Sequence, residues 1–223
     1  GNAVQAKGGT TDLEIRACRM LDPGERGVNM GGSTGYEYFR PPLSETAPNA
    51  EARRIRVVNN LIVGGTAAVA FVGCVDCLAA HNTIVDPENW VGRILQETVS
   101  DDTYSFEPAT RGRFVDNLVW FDSSLLSTFV NVGAGTDPDS FQFANNLWYA
   151  HDNPDASAPN LPVAETGAVV GQDPELAAPA GGDYEPGSAG PACAAGLSLA
   201  EVPDDFAQSC RSHPPSIGAW ECP

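Results

Sequence analysis

The chain has 223 residues, 42% of them hydrophobic, ample for a packed core, and a formal charge of −17 with pI near 4.3. That charge repels phosphate backbones and anionic lipid headgroups, so it disfavours nucleic-acid and membrane-surface roles and leaves cations or neutral polymers as easier partners. No apolar run approaches the roughly 18 residues that a membrane-spanning helix needs, so no membrane insertion is expected.

The chain opens on "AVQAKGG" (3–9), which holds Lys7, the only lysine; every other basic side chain except histidine is arginine. It starts without Met in what reads as structure already under way. An amino-terminal cap is therefore expected to be missing, and the uncapped first coil is a candidate surface for self-association. The opening pattern returns in "GVNMGGS" (27–33), "AVAFVGC" (68–74), "VGRILQE" (91–97) and "FVNVGAG" (129–135), where Val4, Val28, Val69 and Val130 align and glycine follows in four of the five.

A second series alternates with the first: "VVNNLIV" (57–63), "AAHNTIV" (79–85), "FVDNLVW" (114–120) and "FANNLWY" (143–149). Each sets an asparagine, Asn60, Asn82, Asn117 or Asn146, before an apolar or β-branched triplet. "IRACRML" (15–21) is a weaker copy with Cys18 in the asparagine position. The separations are 42, 22, 35 and 29 residues, against roughly 20 to 25 for one coil of a parallel β-helix. The longer gaps hold insertions. Asparagine suits a recurring corner because it tolerates left-handed backbone angles and because stacked amides hydrogen-bond along a column. The residues that follow, such as Leu61 and Val63 or Leu118 and Trp120, are expected to fill the interior. Apolar runs with few two-residue hairpin signals point to covered parallel sheets rather than an antiparallel sandwich. The predicted fold is all-β, a single-stranded parallel β-helix (solenoid) over residues 1–150. Residues 151–223 form an irregular segment of the same domain that packs on the coils and caps them.

Three insertions interrupt the repeats, at 33–53, 98–112 and 151–167. The last is expected to leave the coils altogether, and such excursions are where binding usually resides. Six cysteines, an even number, suit an exported chain with disulfides. Cys74 and Cys77 in "GCVDC" read as a local disulfide or as buried small hydrophobes, with a metal or redox pair as the alternative. One bridge among Cys193, Cys210 and Cys222 would pin the tail at about 2 to 4 kcal/mol.

The closing segments, "QDPELAAPAGGDYEPGSAGPACAAG" (172–196) and "PPSIGAWE" (214–221), carry a resemblance. Their "GDY" stretch, "GSAGP" turn and final "IGAWE" resemble the tail of secreted bacterial right-handed parallel β-helix proteins of the pectate lyase-like superfamily. The alginate lyase and chondroitinase B type is the most similar, and the likeness runs from Lys7 to Glu221. It implies a right-handed winding, a secreted or cell-surface location and an acidic polysaccharide as partner, cleaved by β-elimination. In that type a lysine ending one strand and an arginine about one coil later act as base and acid. Lys7 matches the lysine, whereas Gly31 stands in the arginine's place, so Arg26 and Arg93 become the candidates for the missing acid. Gln5, Asn29, Gln96, Glu97 and Asn131 share the outward face with Lys7 and are the candidate substrate-binding residues. Trp90 and the aromatics of residues 36–39 could stack on a sugar ring. Ca²⁺ is the cofactor such lyases often use. No carboxylate motif of the family is present to hold it, and "SDD" (100–102) and "DPDS" (137–140) are the remaining candidates. The rival function is a non-catalytic structural or adhesive β-helix, a stiff rod with contacts in its loops.

Overall fold

A computed structural model describes residues 1–223. The strands are two to six residues long and gather in four sheets. Sheet I contains Val4–Ala6, Arg26–Gly31, Ala67–Val72, Trp90–Leu95 and Val130–Val132. Sheet II contains Thr10–Thr11, Ala52–Arg53 and Cys74–Val75. Sheet III contains Glu14–Arg16, Arg56–Val58, Leu78–Ala80, Arg113–Val115 and Gln142–Ala144. Sheet IV contains Arg19–Leu21, Leu61–Val63, Thr83–Val85, Leu118–Phe121, Leu147–Ala150 and Val169–Val170. Every pairing within them is parallel. The first three coils visit the sheets in the order I, II, III, IV, and the next two pass from I to III and IV without a strand in sheet II, an arrangement consistent with a parallel β-solenoid. In sheet I, Val4, Val28, Val69, Gly92 and Val130 lie side by side. Gly92 takes the place that the valine alignment left empty.

The asparagines form one column at the corner between sheets III and IV. Asn60 Oδ1 accepts the Cys18 N–H at 3.0 Å, Asn82 Oδ1 accepts from Asn60 N and Nδ2 at 3.0 and 2.9 Å, and Asn117 Oδ1 accepts from Asn82 N and Nδ2 at 3.0 and 2.9 Å. Asn146 Oδ1 continues the column to Asn117 N and Nδ2 at 2.8 and 3.0 Å. Glu165 closes it: its Oε1 takes the Asn146 N and Nδ2 hydrogens and its Oε2 takes the Trp148 indole N–H. The left-handed backbone, however, falls on the residue before each member: Ala17, Asn59, His81, Asp116 and Asn145. The ladder asparagine needs its side chain turned into the corner, so its outward-facing neighbour takes the strained turn. A second left-handed column, Asp12, Arg54, Asp76 and Arg111, marks the corner between sheets II and III at the same offsets.

The interior is built from Val28, Met30, Val69, Phe71 and Ile94 of sheet I, Ile15, Val57, Ala79, Phe114 and Phe143 of sheet III, and Met20, Ile62, Ile84, Val119 and Trp148 of sheet IV. Each large apolar side chain buried there contributes about 1.5 to 3 kcal/mol. Leu61, Val63, Leu118 and Trp120, expected inside, point outward instead, where Ile217, Ala219 and Trp220 of the carboxyl-terminal segment cover them. The middle strands of sheet IV are covered on both faces, which erases the alternation that would have told inside from outside.

Two disulfides are present, Cys74–Cys77 and Cys193–Cys222, and Cys18 and Cys210 are free. Residues 151–167 do not leave the coils. Pro154–Ala156 forms a short 3-10 turn, Ser157 Oγ accepts the Ala150 N–H, and Leu161 and Val163 pack against the open end of the core. Strand pairing runs on past residue 150, through the Ala144 to Thr166 bridge and Val169–Val170. No helix is long and apolar enough to cross a membrane.

Candidate functional site

Parallel register places Gln5, Asn29, Ala70, Arg93 and Asn131 in one row across the outer face of sheet I. The row is a hydrogen-bonded surface. Arg26 donates from Nη1 to Asn29 Oδ1 at 2.6 Å and from Nη2 to Glu97 Oε1 at 3.1 Å. Arg93 donates from Nε and Nη2 to Asn131 Oδ1 at 3.1 and 3.0 Å, and its guanidinium lies 4.3 Å from the Trp90 ring centre. Burial, reinforced by the nearby charge of Arg26, pulls the Arg93 guanidinium below its usual pKa.

Lys7 stands exposed at the carboxyl end of the same sheet, its Nζ donating to the Ser33 carbonyl at 2.8 Å. Gly32, with φ 152°, makes this approach possible: a Cβ there would meet Gln5 Nε2 at 2.7 Å and Lys7 Cδ at 3.1 Å. Gln5 donates to the Gly31 carbonyl at 3.4 Å. Gln96 spends both ends of its amide on the base of the second insertion, donating to the Thr98 carbonyl and accepting the Ala109 N–H.

Charge is distributed unevenly over the molecule. Most arginines lie within 4.0 Å of a carboxylate, among them Arg54 with Asp12, Arg111 with Asp76, Arg113 with Glu201 and Arg211 with Glu221. Arg16, Arg26, Arg53 and Arg56 are paired as well. The cations left without a carboxylate are Lys7, Arg19, Arg40 and Arg93. Arg19 lies over the Phe206 ring. Arg40 sits beside Lys7, its backbone N–H on the Gly8 carbonyl at 2.9 Å. Of these four, Lys7 and Arg93 stand on sheet I, while the Arg40 guanidinium turns to the Glu37 and Phe39 carbonyls of its own loop.

Lys7 and Arg93 are not on neighbouring coils. Lys7 belongs to the first coil and Arg93 to the fourth, three strand spacings or about 14 Å along the winding axis. The Arg26 backbone lies five positions before the residue that pairs beside Lys7, about 16 Å along the strand direction, but its guanidinium reaches forward to Asn29 and to Glu97, which lies past the carboxyl end of Trp90–Leu95. A base and an acid serving one elimination must both reach the reacting atoms, within about 3 Å each. Lys7 and Arg93 therefore stand three strands apart, while Arg26 reaches from the second coil to Glu97 beyond the carboxyl end of the fourth.

The aromatics are divided as well. Trp90 starts a strand, while Tyr36–Tyr38 lies beyond the carboxyl ends. Phe39 is buried, and Tyr36 packs on Tyr104 and Phe106 with ring centres 5.3 and 5.9 Å apart. The first two insertions thus form one wall, fastened further by the Asn49 to Phe106 bridge and by the Tyr36 hydroxyl on the Val99 carbonyl. Only Tyr38 remains largely exposed among these rings, at 69%. No group of three His, Cys, Asp or Glu side chains is arranged to hold a metal. Asp101 instead accepts the Thr103 and Tyr104 N–H groups, and Asp137 the Thr110 hydroxyl.

Two features escaped sequence reasoning. One is Glu51, fully buried beneath the rim at Lys7. The other is the outward column before the ladder, which holds the tail: Asn59 to the Asp204 carbonyl and Arg211, Asp116 to the Leu197 N–H, and Asn145 to the Ala195 carbonyl. A polar residue recurs before every ladder asparagine, a signal the sequence did carry. His81, in the same column, is fully buried with neither ring nitrogen hydrogen-bonded, and its Nε2 lies 3.4 Å from Asp116 Oδ2. Compared with known proteins, the chain matches no family model and no curated sequence.

Proposed function

We propose that the chain is an exported right-handed β-helix protein of pectate lyase-like architecture that binds an acidic polysaccharide along sheet I without cleaving it. One observation carries this reading: in a chain of net charge −17, Lys7 and Arg93 have no carboxylate within ion-pair distance and belong to a single face. The remote carboxylates do not cancel that attraction. Screening at physiological ionic strength has a length of about 8 Å, so a polymer lying on the face responds to groups in contact and little to the far side. The amides of Gln5 and Asn131 add donors and acceptors for sugar hydroxyls, and Trp90 adds a ring face; Asn29 is fully buried, with its oxygen on Arg26 and its NH2 on the Gly31 carbonyl, and offers a ligand nothing directly. The three strand spacings between Lys7 and Arg93 favour binding over an elimination that would use that pair.

Affinity electrophoresis against polygalacturonate, alginate and chondroitin sulfate tests the proposal. Retardation by an acidic polymer should weaken as salt rises, and Lys7→Ala and Arg93→Gln should each lower affinity about tenfold, equivalent to about 1.4 kcal/mol. Equal retardation by a neutral glucan, or binding indifferent to both substitutions, would refute it. Unsaturated sugar ends that accumulate with the parent chain and vanish in Lys7→Ala would replace binding by catalysis.

A further inference from the structure

Glu51 has no cation within 4.0 Å although its side chain is wholly removed from solvent. A buried carboxylate persists only when donors replace the water it has lost. Glu51 has three. Its Oε2 accepts the Gly8 N–H at 2.9 Å and the Thr34 hydroxyl at 2.8 Å, and its Oε1 accepts the Thr98 hydroxyl. Space for it comes from glycines: a Cβ on Gly31 or on Gly73 would stand 3.3 Å from the Glu51 Cβ.

Each of these donors adjoins something the binding face uses. Gly8 follows Lys7. Thr34 follows Ser33, whose carbonyl holds the Lys7 ammonium at 2.8 Å. Thr98 begins the second insertion, which packs on the first through Tyr36, Tyr104 and Phe106. Both ends of the Lys7 side chain, its backbone and its hydrogen-bond acceptor, are therefore tied to one carboxylate. We infer that Glu51 is the positioning residue of the face: it aims Lys7 across sheet I and locks the two rim insertions to it. The ligand consequence rests on the polysaccharide reading above, whereas the positioning itself does not.

The side-chain chemistry separates positioning from charge. In Glu51→Gln the amide oxygen still accepts from Gly8 and Thr34, and the amide NH2 donates to Thr98 once that hydroxyl turns its lone pair inward, so the frame survives without the negative charge. Glu51→Ala removes all three bonds.

Because Lys7 is the only lysine, acylation by an N-hydroxysuccinimide ester, read by peptide mass spectrometry apart from the terminal amine, reports on this one side chain. In the ligand-free protein, Glu51→Ala should change the Lys7 acylation rate about threefold or more, and Glu51→Gln should keep it within about twofold of the parent. Added polygalacturonate should protect Lys7 in the parent and in Glu51→Gln, and not in Glu51→Ala. If Glu51→Ala does not fold, Thr34→Val, which removes the single bond nearest Ser33, should shift the rate in the same direction. Unchanged acylation in Glu51→Ala or Thr34→Val overturns the inference, and so does a Glu51→Gln that behaves as Glu51→Ala. If no acidic polymer protects the parent while Glu51→Ala still alters the ligand-free rate, the positioning stands and the binding proposal falls.

Discussion

Replacing Asn117 by alanine should be among the most costly single substitutions in the chain. The residue is fully buried, and its Oδ1 is the acceptor for the Asn82 N–H at 3.0 Å and for Asn82 Nδ2 at 2.9 Å. Its own Nδ2 donates to the Ala79 and Val115 carbonyls, both at 3.1 Å, and to Asn146 Oδ1 at 3.0 Å. Alanine leaves the Asn82 backbone N–H buried without an acceptor, at about 1 to 3 kcal/mol, and removes several further bonds worth about 1 kcal/mol each. The expected total is about 3 to 5 kcal/mol, a large share of the roughly 5 to 15 kcal/mol that holds a domain folded. Asn60→Ala is the internal control. Asn60 is buried as well and its Nδ2 donates to the Ile15 carbonyl and to Asn82 Oδ1, but its Oδ1 serves only the Cys18 N–H, on an exposed residue, so its loss should cost about 2 to 3 kcal/mol. Urea unfolding with the disulfides intact gives both values from the midpoints, provided the slopes agree. An Asn117→Ala protein within about 1 kcal/mol of the parent, or clearly more stable than Asn60→Ala, would refute the ladder as a cooperative support.

A second expectation concerns pH. Burial and the nearby Arg211 charge push His81 down to about 3 from 6.5, and burial pushes Asp116 up to about 7 from 3.8. Between pH 3.8 and 6.5 the folded pair holds one proton on Asp116 and the unfolded chain holds one on His81, so the pair adds no pH dependence there. In Asp116→Asn the folded state holds none, and stability should fall by about 1.4 kcal/mol per unit as pH drops below 6.5 toward 3, measured as urea midpoints in a buffer series; a flat profile would sink this account. Third, Cys193→Ser with Cys222→Ser removes a bridge across 29 residues and should lower stability by about 3 to 4 kcal/mol. Limited proteolysis should then cut first within residues 192–222, and cleavage elsewhere would contradict the docking of that segment.

The repeats were legible because a winding chain needs the same chemistry at the same place in every coil. Asn60, Asn82, Asn117 and Asn146 announce one corner, and Val4, Val28, Val69 and Val130 announce one sheet. What was hidden depended on cover and register. Leu61 and Leu118 cannot be told from Ile62 and Val119 by pattern, since the tail buries the outer face of sheet IV as the core buries the inner one. Glu51 reads as one more acid among 29, because its meaning lies in standing beside Gly73 and beneath Gly8, relations that exist only once the coils are stacked. The outward row of Gln5, Asn29, Arg93 and Asn131 follows from strand parity and could be assembled in advance. The bonds that join Arg26 to Asn29 and Arg93 to Asn131 could not.

The other faces give the proposal that sheet I takes a partner its physical ground. Outside sheet IV and along the neighbouring corner, residues 192–221 supply Ile217, Ala219, Trp220 and the Arg211 guanidinium, so apolar surface and polar corner groups are satisfied within the chain. Along the corner between sheets II and III, opposite charges alternate coil by coil, Asp12 with Arg54 and Asp76 with Arg111, and each cation there is answered locally. A surface whose charges are already paired gains little from a charged ligand, because any new contact must first displace an existing one. Sheet I lacks such answers at Lys7 and Arg93, and its amides bond to the arginines rather than compensate them. An acidic polymer is the complement that would supply the missing negative charge without breaking a bond the fold depends on.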